Sequence, residues 1–223
     1  MEALAEIEKP PHQLLEKELN WEWAFLTGHC PSEQTSDAEP PIRLADRTET
    51  IPIDRLLGIY DPSTQGITIF SKGIEQVAAL LSAHPRDLMF IVRLHEWAHA
   101  LLHIAVPKNL RSQLLLDESS WSEYLANATA WFGTLDTPLH ERLAQLLTHH
   151  ALCSLESATT LPESRAALQR RRSTFQQLTR RAPTDYHIEG YVNIPKPRLL
   201  LSIRLLKACT LIGFNAWETT ITW

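Results

Sequence analysis

Apolar residues recur at the 3.6-residue spacing of an α-helix in seven stretches of the chain. Proline, glycine and capping residues near the ends of these stretches set the predicted boundaries. The predicted helices cover residues 12–27, 73–82, 85–105, 119–132, 137–155, 163–181 and 199–212. The pattern therefore predicts a mainly helical protein.

One stretch has the pattern of a β-hairpin instead. Two short apolar runs, Leu56–Tyr60 and Ile67–Ser71, flank the turn-rich segment Asp61–Gly66. Residues 30–50 are rich in proline, serine, threonine and acidic residues and show no periodicity, so we predict a loop or mobile linker there. The fold class that follows is α+β, with a small sheet near residues 56–71.

The helix predicted over residues 85–105 is apolar around almost its whole circumference, which is typical of a buried central helix. It contains the pattern H-E-x-x-H. His95 and His99 are four residues apart, so they share one helix face and can bind one metal ion. Glu96 can hydrogen-bond a metal-bound water. Because buried imidazoles need polar partners, the alternative is a pair of hydrogen-bonded core histidines.

This pattern predicts a zinc hydrolase that cleaves peptide bonds. Zn²⁺ needs two neutral nitrogens, a third ligand and an open position for water, and Glu96 would act as the general base. An extended peptide substrate would pair with Ile67–Phe70, predicted to be an edge strand. The residues eligible to stabilise the oxyanion are Tyr124, His140, His149, His150, Tyr186 and His187.

Glu123 is the predicted third ligand, 24 residues after His99. Asn127 lies four residues later on the same helix face, where its carbonyl oxygen could accept a hydrogen bond from a ligating histidine. Ser120 and Glu123 also form a capping-box pattern, which is the structural alternative for this glutamate. If Glu123 caps the helix, Glu118 is the next candidate ligand.

Three motifs follow one another within residues 55–132: Gly58-Ile59-Tyr60 with Ile67-Thr68-Ile69, then H-E-x-x-H with His103 four residues on, then Glu123-x-x-Ala126-Asn127. In this order they resemble the ImmA/IrrE-type zinc metallopeptidases. The resemblance implies a small αββαα zincin core with His95, His99 and Glu123 on zinc and Glu96 as base. It also implies limited proteolysis of a DNA-binding repressor.

The chain departs from that family in two places. Ala98 stands where the family commonly has glycine, and residues 133–223 have no counterpart. Other zincin classes fit less well, because no third histidine stands six residues after His99, as metzincins need, and the three cysteines form no zinc ribbon. His103 lies one turn further along the metal face, and we predict that it supports the ligands or belongs to the core.

Sequence composition indicates the cellular compartment of the protein. The three cysteines (Cys30, Cys153 and Cys209) are far apart and form no CxxC pair, which is typical of a reducing compartment. The N-terminus lacks the basic and apolar regions of a signal peptide. Leu199–Trp217 is interrupted by charged residues and is a poor membrane span. These features predict a cytoplasmic protein without a membrane anchor.

Charge is distributed unevenly along the chain. The net charge is −5, yet residues 160–223 hold ten Lys and Arg against four Asp and Glu. We predict a metallopeptidase domain over residues 1–160 and a basic, mostly helical extension over residues 161–223. The extension could bind nucleic acid or dock on the acidic body of its own chain. The alternative function is a zincin-fold regulatory protein that holds a partner through this extension.

Overall fold

A computed structural model describes residues 11, 13, 15, 23–24, 28–42, 50–107, 118–195 and 198–199. This part of the chain is mainly helical with a small three-stranded sheet, so the α+β class is confirmed. The strands are β1 (Trp23–Ala24), β2 (Ser32–Ser36), β3 (Gly58–Asp61), β4 (Gly66–Phe70) and β5 (Val106–Pro107). The helices are α1 (Ile53–Leu56), α2 (Ser71–Leu81), α3 (Pro85–Ile104), α4 (Glu118–Thr134), α5 (Thr137–Ala158) and α6 (Pro162–Arg180).

The predicted hairpin is present. Strands β3 and β4 pair antiparallel, with Gly58 opposite Ile69 and Asp61 opposite Gly66. The Asp61 side chain holds the turn by accepting hydrogen bonds from the backbone and hydroxyl of Ser63. Hydrogen bonds between residues near in sequence therefore stabilise the turn between β3 and β4, as expected for an Asx turn.

The prediction for residues 30–50 is wrong over one segment, because Ser32–Ser36 forms β2, parallel to β4. The sheet order is β2-β4-β3, so β4 is the central strand and Ile67–Phe70 is not an edge strand. The segment lacks apolar alternation because β2 depends on its backbone ladder and polar contacts. The carboxylate of Glu33, for example, accepts hydrogen bonds from Arg93 (2.5 Å) and Trp97 (2.6 Å) of α3.

Helix α3 is the buried central helix that its apolar surface predicts. Pro85 occupies the first turn, and the His84 ring accepts a hydrogen bond from the Arg86 backbone at the N-cap. Most of its twenty residues are buried. It packs against the sheet and against α2, α4, α5 and α6, so the polar residues His95, Glu96, His99 and His103 are enclosed by protein.

Helices α2, α4, α5 and α6 confirm the predicted helices to within three residues at each end. Most of the helix predicted over residues 12–27 lies outside the described residues, and Trp23–Ala24 instead pairs with β5. The segment predicted as a helix over 199–212 lies outside the described residues, apart from Leu199. Within the described ranges, no helix has the length and apolarity needed to span a bilayer.

Helix α6 packs on α5 and α3 and adds Leu168, Phe175 and Leu178 to the same apolar core. Its arginine cluster faces acidic residues of this chain. Arg171 is paired with the buried Asp87 of α3 at 2.9 Å, and Arg172 with Glu156 of α5 at 3.1 Å. Within the described residues, α6 therefore docks on its own chain through these two ion pairs and its apolar side chains.

Candidate metal centre

His95 and His99 lie on the inner face of α3, one turn apart. His95 is fully buried and His99 is 5% exposed. Their rings meet edge to face at 87°, which brings the two Nε2 atoms to 3.2 Å from each other. The i, i+4 spacing in the sequence thus places both nitrogens within reach of a single metal ion.

Glu141 of α5 brings a carboxylate to the same point. Its Oε2 lies 3.2 Å from Nε2 of His95, and its Oε1 lies 3.2 Å from Nε2 of His99. Burial alone would raise the pKa of this carboxyl, but the charge of His99 and hydrogen bonds from both histidines lower it well below its usual range. Glu141 is therefore ionised, with one carboxylate oxygen 3.2 Å from each imidazole nitrogen.

The three side chains form a group that could hold a metal ion. One ligand atom from each of His95, His99 and Glu141 lies within 4.8 Å of the others, and all three residues are buried. Within the described ranges no other group of histidine, cysteine and acidic side chains meets this condition. Two imidazoles and one carboxylate are a donor set that proteins use for divalent transition metals.

Glu96 is fully buried on the side of α3 that faces β3. It lies about 60° around the helix from His99, on a neighbouring face of α3. A Cβ atom added to Gly58 would come within 2.9 Å of the Glu96 Cγ atom and 3.0 Å of its Oε1. The carboxylate of Glu96 therefore packs against the backbone of β3 at Gly58.

The predicted ligand Glu123 is exposed on α4, and the carboxylate that lies at His95 and His99 is that of Glu141. Asn127 is exposed as well. Helix α4 begins at Glu118, so Glu123 is not in the N3 position that a capping box with Ser120 requires. The side chain of Glu118 lies outside the described part of the chain.

The side chains of His103 and Tyr124 form hydrogen bonds with other groups of the fold. The His103 ring is hydrogen-bonded to the Tyr60 hydroxyl at 2.7 Å and to the Thr129 hydroxyl at 2.9 Å. These are the contacts of a core histidine, one of the two predicted alternatives. The Tyr124 hydroxyl donates to the carbonyls of Ile104 and Ala105 at 3.3 Å, and burial raises its pKa. Tyr124 therefore closes the end of α3 rather than facing a substrate.

His140 comes next to Glu141 in the sequence and is partly exposed. Its ring centroid lies 5.7 Å from that of His99 and 4.4 Å from that of Phe132. Burial and the charge of His99 lower the pKa of His140 to about 4, so the ring is neutral at neutral pH. Among the six residues that the sequence leaves eligible as oxyanion stabilisers, His140 is the one whose ring contacts a histidine of the metal group.

Comparison of the chain with protein-family models, with curated proteins and with solved structures gives no match. The assignment of the site therefore depends on its own geometry and chemistry.

Proposed function

We propose that this protein is a zinc-dependent metallopeptidase with a zincin-like core. The observation that carries the proposal is the buried group of His95, His99 and Glu141, with Glu96 on the same helix beside it. A hydrolase of this class needs three ligands, an open fourth position and an adjacent carboxylate base. The resemblance to ImmA/IrrE-type peptidases and a repressor substrate stay predictions.

The separations of the ligand atoms support zinc. Donor atoms bound tetrahedrally at about 2.0–2.1 Å from Zn²⁺ are about 3.3 Å apart. The Nε2–Nε2 distance and both Nε2–carboxylate distances are 3.2 Å. The three side chains of His95, His99 and Glu141 can therefore close on one ion with small shifts, which leaves a fourth position for water or substrate.

In the proposed mechanism, Glu96 acts first as a general base and then as a general acid. A bound zinc ion supplies Lewis acidity toward the scissile carbonyl and lowers the pKa of the attacking water. Glu96 accepts a proton from that water and later donates it to the amide nitrogen that leaves. Its burial against β3 excludes bulk water and holds the carboxylate in one place. Both products are released as a free carboxylate and a free amine.

We place the substrate, an extended polypeptide segment, along the outer edge of β3. Within the described part of the chain this edge pairs with no other strand, and Gly58 on it contacts Glu96. An added strand would gain main-chain hydrogen bonds without needing a particular side chain. The proposed edge replaces Ile67–Phe70, which lies in the centre of the sheet.

The experiment compares zinc-loaded wild type with Glu96→Gln on an unfolded, carboxymethylated protein and on a peptide library. Loss of the general base should lower kcat by about 10²–10⁴-fold while zinc stoichiometry and melting temperature stay unchanged. Glu75→Gln is the matched control, because Glu75 is exposed on α2. Equal cleavage by wild type and Glu96→Gln, or no cleavage by zinc-loaded wild type, would contradict the proposal.

A further inference from the structure

The side chain of His140 is positioned beside the metal group by contacts of its ring with two neighbouring rings. Its imidazole packs against His99 at an interplanar angle of 67° and against Phe132 at 41°. Helix α5 fixes its backbone, since His140 precedes the buried Glu141 in the second turn. The ring therefore has a defined position beside the candidate metal centre, on the side of His99.

The hydrogen-bonding capacity of this ring is not used within the described part of the chain. No hydrogen bond to either His140 nitrogen occurs there, although the ring is only partly exposed. Two other histidines differ from it: the His103 ring is hydrogen-bonded to two hydroxyls, and the His187 ring is hydrogen-bonded to a backbone carbonyl at 3.0 Å. His140 is thus oriented by packing and available to a ligand.

His140 does not belong to the metal group itself. The convergent ligand atoms come from His95, His99 and Glu141, and His140 is not among them within the described ranges. The alternative oxyanion donor Tyr124 is occupied by the backbone carbonyls at the end of α3. A neutral imidazole carries one N–H donor, and the ring of His140 lies beside that of His99 with a centroid separation of 5.7 Å.

We propose that His140 is a catalytic residue that donates a hydrogen bond to the scissile carbonyl oxygen as that oxygen gains negative charge. This inference depends on the proposed metallopeptidase function. Donors aimed at a developing oxyanion stabilise the transition state more than the bound substrate, so His140 should act on kcat rather than on KM.

The test uses His140→Ala and His140→Gln in the full-length, zinc-loaded protein. His140→Ala should lower kcat by about 10²–10³-fold and change KM by less than about threefold. His140→Gln keeps an N–H donor and should recover part of kcat. His84→Ala, at an exposed histidine that precedes the first turn of α3, is the control and should retain wild-type kcat.

Binding supplies a readout that does not depend on turnover. In the Glu96→Gln background, His140→Ala should weaken binding of a peptide phosphonate, a tetrahedral anion, by about tenfold or more in calorimetry, equivalent to about 1.4 kcal/mol. Binding of the corresponding amide peptide should stay within about threefold, because uniform binding is unaffected.

The outcomes separate the two proposals. An inactive zinc-loaded wild type would refute the peptidase function and, with it, this role for His140. An active wild type whose His140→Ala variant keeps its kcat and its phosphonate affinity would overturn the inference alone. Loss of zinc from His140→Ala would also overturn it, since His140 would then be a metal ligand.

Discussion

Gly58 determines how closely the edge strand β3 approaches the carboxylate of Glu96. A Cβ atom at this position would lie 2.9 Å from both the Glu96 Cγ and the Val92 Cγ1 atoms. Contacts this short cannot persist, and the flexible glutamate side chain would move more easily than the packed strand. The absence of a side chain at residue 58 therefore positions the proposed base.

We predict that Gly58→Ala lowers kcat/KM of the peptidase by about tenfold or more, equivalent to about 1.4 kcal/mol of transition-state stabilisation. Zinc content should stay at the wild-type level, because Glu96 is not a ligand. Gly190→Ala, where an added Cβ meets nothing within 4 Å, is the control. A fully active Gly58→Ala enzyme would show that the position of Glu96 does not matter.

At this scale, residues related by local spacing could be predicted from the sequence. His95, Glu96 and His99 were found because a helix turns i and i+4 to one side. Glu141 was missed because 42 residues separate it from His99 and only tertiary packing joins them. The signal that could have indicated Glu141 is its position one helical turn before Gln145, since both polar residues lie on the buried face of α5.

At the scale of elements, α2 lies unusually close to α1. A Cβ atom on Gly73 would be only 1.9 Å from the carbonyl oxygen of Leu56, a backbone atom that cannot rotate away. The glycine thus permits the contact between the first turn of α2 and the segment that leads into β3. That segment leads directly to Gly58, which lies against the side chain of Glu96.

We predict that Gly73→Ala destabilises the protein by about 1–3 kcal/mol, the usual cost of overpacking. Gly133→Ala is the opposite control, because it lies in α4 with nothing within 4 Å of the added Cβ. It should stabilise the fold by about 0.5–1 kcal/mol through helix propensity. Urea denaturation measures both, and a neutral Gly73→Ala would refute the close approach.

Elements with strong periodicity were predicted well, and those held by polar contacts were not. Helix α3 and the β3–β4 hairpin follow from apolar patterns that their own residues carry. Strand β2 contains Ser, Glu, Gln and Thr, so nothing in its own sequence marks it as a strand, and pairing with β4 decides its conformation. Helix α5 packs on both α3 and α6, so its buried surface is wider than its leucine stripe.

At the scale of the whole molecule, an ion pair links the basic α6 to the central helix. Asp87 is buried in the first turn of α3 and accepts a hydrogen bond from Nε of Arg171 at 2.9 Å. The Arg171 guanidinium also lies 4.0 Å from the ring centroid of Phe90, in a cation–π contact. Removal of Asp87 would leave Arg171 without this charge partner, whereas removal of Arg171 would leave Asp87 only the longer contact with Arg170 at 3.6 Å.

We predict that Asp87→Asn costs about 1–3 kcal/mol of unfolding free energy, because a buried, charged hydrogen bond is lost. A double-mutant cycle with Arg171→Gln should give a coupling of about 0.5–3 kcal/mol. The control is Lys72→Gln, whose exposed pair with Glu39 should contribute less than about 1 kcal/mol. A coupling near zero would show that the pair of Asp87 and Arg171 does not stabilise the docking of α6.

The most direct measurement of the central claim is the zinc content of purified wild type, Glu141→Ala and Glu123→Ala, determined by elemental analysis after dialysis. His95, His99 and Glu141 as ligands predict about one zinc per chain in wild type and in Glu123→Ala. Glu141→Ala should lose the metal while it remains folded by circular dichroism. Zinc retained in Glu141→Ala but lost from Glu123→Ala would contradict this metal centre.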